Sequence, residues 1–456
     1  MEPTELLIDP MRPFSKSRIW ELQKEYYSQQ GVEVFASQEV PNYITNSPQT
    51  ARSYAEMIFG FLQDLGRQGR DQETVYLVEL GAGTGQLCFH ILQYYTRYLA
   101  DGPDPLPPFC YVLTDLSQET LDFWQPPPRL QEYFRAGILD VALFDVEKDE
   151  SIYLTYHGLR LEKAACKQPL IVLANYFFDV IPQELVYFES GQAYQVTMSL
   201  HQQSGSEGLA NLNMKYGYDL LDTSGFDPRL QVLIDQYKTV LDQSHVLIPE
   251  LGIRCLDRFR QYSPEGMLLL TGDKGIYHLR DLNGLEPPEF VMTGSLSLYL
   301  NFHALGAYCN QVDGRTFLPS RQKFNLVVAG FLMVNNPILY PSFSRAYDLW
   351  ASRVGPDENY LLKVVMEKGF AKLNPQEVVA VLRFFLNDPR IFQTIYASVE
   401  EHIPNLNQKG KEVLTIELVE VWENYYRLSE DEKIEVALRK LLDDLGQPQS
   451  LMSAYP

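Results

Sequence analysis

The densest chemical signal in this chain is Glu79-Leu80-Gly81-Ala82-Gly83-Thr84-Gly85. Three glycines at alternate positions carry no Cβ, so the backbone there can approach a ligand closely. The residues before the turn read as a strand and those after it as a helix, whose first N–H groups have no intrahelical partner. A dinucleotide fingerprint counted from Gly81 requires its third glycine at position 86, where the chain has Gln86. Glu79 lies just before the turn, where a carboxylate would repel a pyrophosphate. It suits a cationic ligand instead, one with an amino group or a sulfonium.

Two further acids complete a constellation. Asp115 closes the second predicted strand, where a carboxylate can accept hydrogen bonds from both hydroxyls of a ribose. Asp145 closes the third and can accept from an adenine amino group, with Asp140 nearby as an alternative. Together the acids describe an adenosine ligand without phosphates, which S-adenosylmethionine fits better than NAD or ATP. The cofactor-binding residues are therefore expected to be Glu79, Gly81, Gly83, Gly85 and Asp115, with Asp145 and Asn175 in a second rank. Asn175 opens the segment Asn175-Tyr176-Phe177-Phe178-Asp179-Val180-Ile181-Pro182, which leaves the fourth predicted strand at the same sheet edge. Asp179 there can cap a turn or orient a nucleophile, while Phe177 and Phe178 read as core. The histidines, among them His90, His157, His245, His278 and His303, show no ligand spacing, and no metal is expected.

The elements that must position these residues alternate. Helices are expected over 16–30 and 49–66, a strand over Thr74–Leu80, and a helix over Gln86–Leu99. Strands follow at Phe109–Thr114, Ile138–Phe144 and Pro169–Ala174, with Pro126-Pro127-Pro128 breaking the chain between. Alternation of this kind implies parallel strands with crossover helices. Glu184–Leu200 reads as a hairpin around Ser190-Gly191, His201–Asp227 as a polar loop, and 228–244 as a helix. Gly266–Thr271 and Leu326–Val334 read as core strands. Beyond about 336 the texture is helical. Asn374-Pro375-Gln376-Glu377 marks a helix start, Ser429-Glu430-Asp431-Glu432 has capping-box spacing, and Gly446 ends the last apolar pattern. The expected organisation is an N-terminal helical segment over 1–70, a doubly wound α/β core over 71–335 with an insertion at about 184–260, and a helical module over 336–456.

With 38 basic and 59 acidic residues the net charge is −21, which opposes attraction to nucleic acid or an anionic membrane. It would favour a basic partner, or serve only to keep the protein in solution. The run LVVAGFLMV within Phe324–Asn335 is too short to span a bilayer, and Met1–Glu5 lacks a signal-peptide pattern. Five scattered cysteines without a CxxC argue against a disulfide framework or zinc site and for a reducing compartment. A cytoplasmic location is expected.

Segment Asn175–Pro182, together with the glycine turn, resembles the MidA-like methyltransferase family, which carries an N/H-E-F-F-D-x-L-P pattern there. Tyr43-Ile44-Thr45-Asn46-Ser47-Pro48 is similar to that family's F-I-T-S-P-E segment, and Ile58-Phe59-Gly60 to its I-F-G. Gly272-Asp273-Lys274-Gly275 resembles a late D-Y-G, and Asn301-Phe302-His303-Ala304-Leu305 a D-F-T-A-L. The resemblance runs from about 20 to 335. It implies a class I S-adenosylmethionine-dependent methyltransferase whose mitochondrial relatives methylate an arginine of a complex I subunit. Tyr176 replaces the family glutamate, and Glu184 stands where histidine is common. On this resemblance Asp179, Tyr176 and Glu184 line the acceptor side, with Glu184 supplying the missing acid. The alternatives are a small-molecule acceptor, or an assembly factor that binds S-adenosylmethionine without turnover and recruits a partner through its helical tail. A nucleotide-dependent oxidoreductase is a weaker reading.

Overall fold

The computed structural model describes residues 5–30, 43–99, 102, 105–125, 128–203, 212–288, 298–369, 373–428, 433–448 and 451–452. Its centre is a seven-stranded sheet of β1 (Val75–Glu79), β2 (Phe109–Asp115), β3 (Leu139–Leu143), β4 (Leu170–Leu173), β5 (Gly266–Asp273), β6 (Arg315–Phe317) and β7 (Val327–Val334). Across the sheet the order is β6-β7-β5-β4-β1-β2-β3. The five strands from β1 to β5 run parallel. β7 lies antiparallel between β5 and β6. β4 and β7 are buried along their whole length, because helices cover both faces and leave no solvent side for polar residues. The chain turns outward in opposite directions from β1 and β4, so a crevice opens beyond their carboxyl ends. That crevice is where doubly wound sheets bind ligands.

One face is closed by the helix Pro48–Arg67, which starts with Pro48 at its first position and Ser47 accepting the Thr50 N–H. Its residues Tyr54, Ile58, Phe61 and Leu65 join a core with Leu77, Tyr111 and Leu270. The other face packs Val78, Val112 and Leu269 against Leu256 and Phe259 of the helix Glu250–Tyr262.

The insertion differs from the sequence expectation. Glu184–Glu189 and Gln192–Gln203 form the expected hairpin. Its turn residues Ser190 and Gly191 have φ of 51° and 74°, as a two-residue turn between twisted strands requires. Part of the expected polar loop is a strand, however. Leu212–Leu220 pairs antiparallel with Gln192–Gln203, so its polar residues alternate on a half-covered surface; 204–211 lie outside the described residues. Glu5–Pro13 and Ser244–Ile248 add two more strands, giving a five-stranded sheet that the sequence reading did not foresee. The expected helix over 228–244 stops at Val240, and Gln243 takes a φ of 49° before the new strand.

Among the described residues beyond Gly355, the helices Pro356–Gly369, Pro375–Phe384, Pro389–His402, Gln408–Glu423 and Lys433–Asp444 pack around a core of their own. Asn374 and Glu377 form a reciprocal capping box, and Gly446 follows the last helix at φ 74°. The capping box expected at Ser429–Glu432 lies outside the described residues, as do Pro126 and Pro127. The tail grips the sheet domain directly. Arg129 donates to the carbonyls of Trp422 (2.8 Å) and Glu423 (2.5 Å), and Arg97 pairs with Glu420 and Glu423. Tyr43 donates to Asp388 at 2.8 Å and lies under the Lys363 and Arg390 cations. No described helix is long and apolar enough to cross a membrane. All five cysteines are buried and free.

Candidate functional site

The glycine turn is pinned on both sides. Leu80 donates its N–H to Leu173 at 2.8 Å, and Ala82 donates to Thr114 at 3.0 Å. Gly81, Gly83 and Gly85 all have positive φ, at 62°, 54° and 71°. A side chain in that region is strained, which is why the sequence spends three glycines here. A Cβ on Gly85 would stand 3.0 Å from the Trp124 ring, and one on Gly81 would be 3.4 Å from Phe177. Trp124 is wholly buried and donates its indole N–H to the Gly83 carbonyl at 3.0 Å. The turn therefore has a rigid back wall, and Phe177 borders it.

Glu79 is buried beneath the turn and takes the Tyr111 hydroxyl at 2.8 Å. Burial pushes its pKa up to about 8 against that hydrogen bond. Asp115 is half-buried at the end of β2 and accepts the Ser117 N–H at 3.1 Å. Burial raises its pKa to about 6, although N–H groups of Ser117, Gly83 and Leu116 and the Thr120 hydroxyl favour the charged form. Both carboxyls are thus short of positive charge.

Asp145 sits past the end of β3 and holds Lys24 at 2.7 Å and Lys148 at 3.1 Å. Burial raises its pKa, but these lysines and the Glu147 N–H outweigh it and hold it below the ordinary range. Both lysines sit on one oxygen of Asp145 and the Glu147 N–H donates to the other at 3.0 Å, so an adenine amino group would join an oxygen that already has a donor. Asp140 is fully buried and points elsewhere. It accepts the N–H groups of Val141, Tyr156 and His157 and the His157 ring at 2.6 Å, which fixes a loop.

On the far side of the turn, the ends of β4 and β5 come together. Asn175 accepts the Tyr54 hydroxyl at 2.6 Å, and its own Nδ2 is buried without a partner. Tyr176 adopts φ 49° and donates its N–H to the Gly272 carbonyl at 3.0 Å, which swings the segment against β5. Phe178 is core, packed against Gly252, whereas Phe177 is only half-buried. Asp179 and Asp273 are both buried, at 2% and 0% exposure. Glu184 lies in the insertion sheet, where Ser15 donates to one oxygen and Gln195 stands 3.5 Å from the other.

Sequence reasoning missed Tyr54 of the helix Pro48–Arg67, Tyr111 of β2 and Trp124 of the helix Gln118–Trp124, which meet the site only through the packing of these elements. Asp273 was legible in principle. It closes β5 as Asp115 closes β2, and the strand-end argument applies to both.

Residues 55–272 match the family described as "Putative S-adenosyl-L-methionine-dependent methyltransferase". No curated protein matches the chain. Among solved structures, an uncharacterized superfamily protein from Burkholderia thailandensis is 14% identical, with 72% of this chain and 90% of that one covered and a TM-score of 0.43. A second member of that superfamily from the same organism, bound to S-adenosyl-homocysteine, is 15% identical, with 68% and 75% covered and a TM-score of 0.42.

Proposed function

Starting from the match of residues 55–272 to the family of putative S-adenosylmethionine-dependent methyltransferases, we propose that this chain transfers methyl to a nitrogen of a cationic, arginine-like side chain on a protein. The residues fit the cofactor. A glycine cradle offers bare backbone, two carboxyls await positive charge, and the orphaned Asn175 Nδ2 suits an acceptor atom such as an amino-acid carboxylate. Glu79, Gly81, Gly83, Gly85 and Asp115 would hold it, with Asn175 and Asp145 at the margins. Bound S-adenosylmethionine supplies an electrophilic methyl carbon on a sulfonium.

The chain's part is to bind, orient and exclude water. Asp115 would take the ribose hydroxyls. Glu79 would place negative charge beneath the cation. Tyr176 and Asp179 border the acceptor side, and Glu184 would lend a further acid from the insertion. The observation that carries the acceptor class is the gathering of the Asp179 and Asp273 carboxyls and the Tyr54 and Tyr176 phenols at the ends of β4 and β5, next to β1. Such a lining attracts a cation. The chain's net charge of −21 works in the same direction over longer range.

The test is incubation with methyl-labelled S-adenosylmethionine and the peptide acetyl-Gly-Arg-Gly-amide. Label on the guanidinium supports the reading. Label that passes only to metabolites of a desalted cell extract would replace it with a small-molecule acceptor. Tight cofactor binding with no label anywhere would leave the assembly role.

Cofactor binding should also depend on pH. In the free protein Glu79 and Asp115 hold protons up to about 8 and 6. A cationic ligand favours their charged forms, so binding releases protons. Affinity is expected to rise by up to about 100-fold between pH 6 and 8, since one released proton is worth up to a decade per pH unit. Calorimetry in buffers of different ionisation enthalpy would register the release; a pH-independent affinity would contradict it. The ligand-free protein has the opposite slope from Glu79. A carboxyl whose pKa is raised on folding contributes stability at low pH, and this is lost as pH climbs towards about 8.

A further inference from the structure

Asp179 and Asp273 reach the same place from different elements. Asp273 ends β5, and Asp179 ends the turn that follows β4, its parallel neighbour. Asp273 is wholly buried, yet neither of its oxygens has a hydrogen-bond partner of sound geometry. A buried carboxyl in that condition is costly unless it is protonated or awaits a donor. The Asp179 carboxyl acts on it at hydrogen-bonding range, and two carboxyls so close cannot both ionise. Burial first, and then Asp179, push the Asp273 carboxyl well above its usual range, while the Lys274 N–H and ammonium pull the other way.

The other groups facing this point are few. The Tyr54 and Tyr176 phenols lie within the field of Asp273, and Tyr54 also within that of Glu79. Tyr360, from the tail helix Pro356–Gly369, lies within the electrostatic range of Tyr176. The phenols are neutral, pushed up by burial, and Glu79 lies under the cofactor turn on β1.

We propose that Asp179 and Asp273 act as one proton-sharing carboxyl pair that receives the acceptor's cationic nitrogen and takes up its proton during methyl transfer. This rests on the methyltransferase reading above and names the group that performs its proton step. With one proton between them, the pair carries a single negative charge, matched to one guanidinium or ammonium. The acceptor nitrogen forms its bond to the methyl carbon as the carbon–sulfur bond breaks with its electron pair going to sulfur. That nitrogen gives a proton to the ionised member of the pair before it attacks, which frees the electron pair for the new bond, so the nitrogen group leaves with the charge it brought. A substrate nitrogen that is already neutral gains nothing from such a site, which sets the preference for cations.

The experiment compares wild type, Asp179→Asn and Asp273→Asn by infrared spectroscopy, all in a Glu79→Gln background because Glu79 also holds a proton near neutrality. Wild type minus Asp273→Asn at pH 7 should contain the C=O stretch of a protonated carboxylic acid, and Asp179→Asn should shift its titration to lower pH. Without the Glu79 change, each single variant should bind S-adenosylhomocysteine within about threefold of wild type and transfer methyl to acetyl-Gly-Arg-Gly-amide at least about 100-fold more slowly, the range for a lost acid–base group. A difference spectrum with no acid band, or Asp273→Asn transferring at the wild-type rate, overturns the pair. Wild type that binds cofactor and leaves the peptide unlabelled overturns the arginine-like acceptor instead, and the acid band then decides the pair by itself. Thermal melts separate misfolding from both, because Asp273→Asn should melt no lower than wild type.

Discussion

A Gly85→Ala protein is expected to melt earlier than wild type and to bind S-adenosylmethionine at least about 100-fold more weakly. Two costs combine. The backbone at Gly85 has φ 71°, where an added Cβ costs about 1–2 kcal/mol. The Cβ also lands 3.0 Å from two atoms of the Trp124 ring, which is wholly buried and tied to the Gly83 carbonyl. Trp124 cannot retreat without giving up that bond, worth about 1 kcal/mol, and its packing. The strained turn then no longer presents its backbone to the ligand. Gly81→Ala provides the comparison. Its Cβ meets Phe177 at an ordinary 3.4 Å, so it should lose less stability while still filling the cofactor's approach. Chemical denaturation and calorimetry on the two proteins read these effects separately. Equal stability losses would show that the Trp124 wall is softer than its contacts imply.

Asp115→Ala should weaken S-adenosylmethionine about 100-fold or more, because two hydrogen bonds from ribose hydroxyls to a charged acceptor are each worth about 1.5–3 kcal/mol. Asp115→Asn keeps one acceptor oxygen and should recover part of the loss. The substitution to alanine also strands the Ser117 N–H, which now donates to Asp115 at 3.1 Å, so a modest loss of stability is expected with it. The diagnostic comparison is with S-adenosylhomocysteine. It keeps the ribose and lacks the sulfonium charge, so Asp115→Ala should weaken both ligands alike, whereas Glu79→Gln should weaken S-adenosylmethionine more. If Asp115→Ala binds both ligands as wild type does, the ribose assignment fails.

The core strands and the glycine turn were legible because their signals are local. Thr74–Leu80 is an apolar β-branched run that ends at three glycines, and parallel strands buried on both faces read as unbroken hydrophobic stretches. The antiparallel setting of β7 was not legible, since a wholly buried strand reads the same in either direction. Glu5–Pro13 and Leu212–Leu220 were missed because they are half-exposed strands, stabilised by pairing with Gln192–Gln203 rather than by a pattern of their own. Within the site, the sequence identifies strand-end acids but not what already occupies them. Asp115 and Asp145 look equivalent in the chain, yet Asp145 carries two lysines, one from residue 24. Nor does the chain reveal that Tyr43, in the segment similar to a family motif, is clasped by Asp388 of the tail, because that contact spans more than three hundred residues.

The most direct test of the whole account is calorimetric titration of S-adenosylmethionine and S-adenosylhomocysteine into the folded protein. One site per chain, with protons released on binding S-adenosylmethionine and the heat abolished by Gly85→Ala, is the predicted result. A folded wild-type protein that gives no heat with either compound would contradict it.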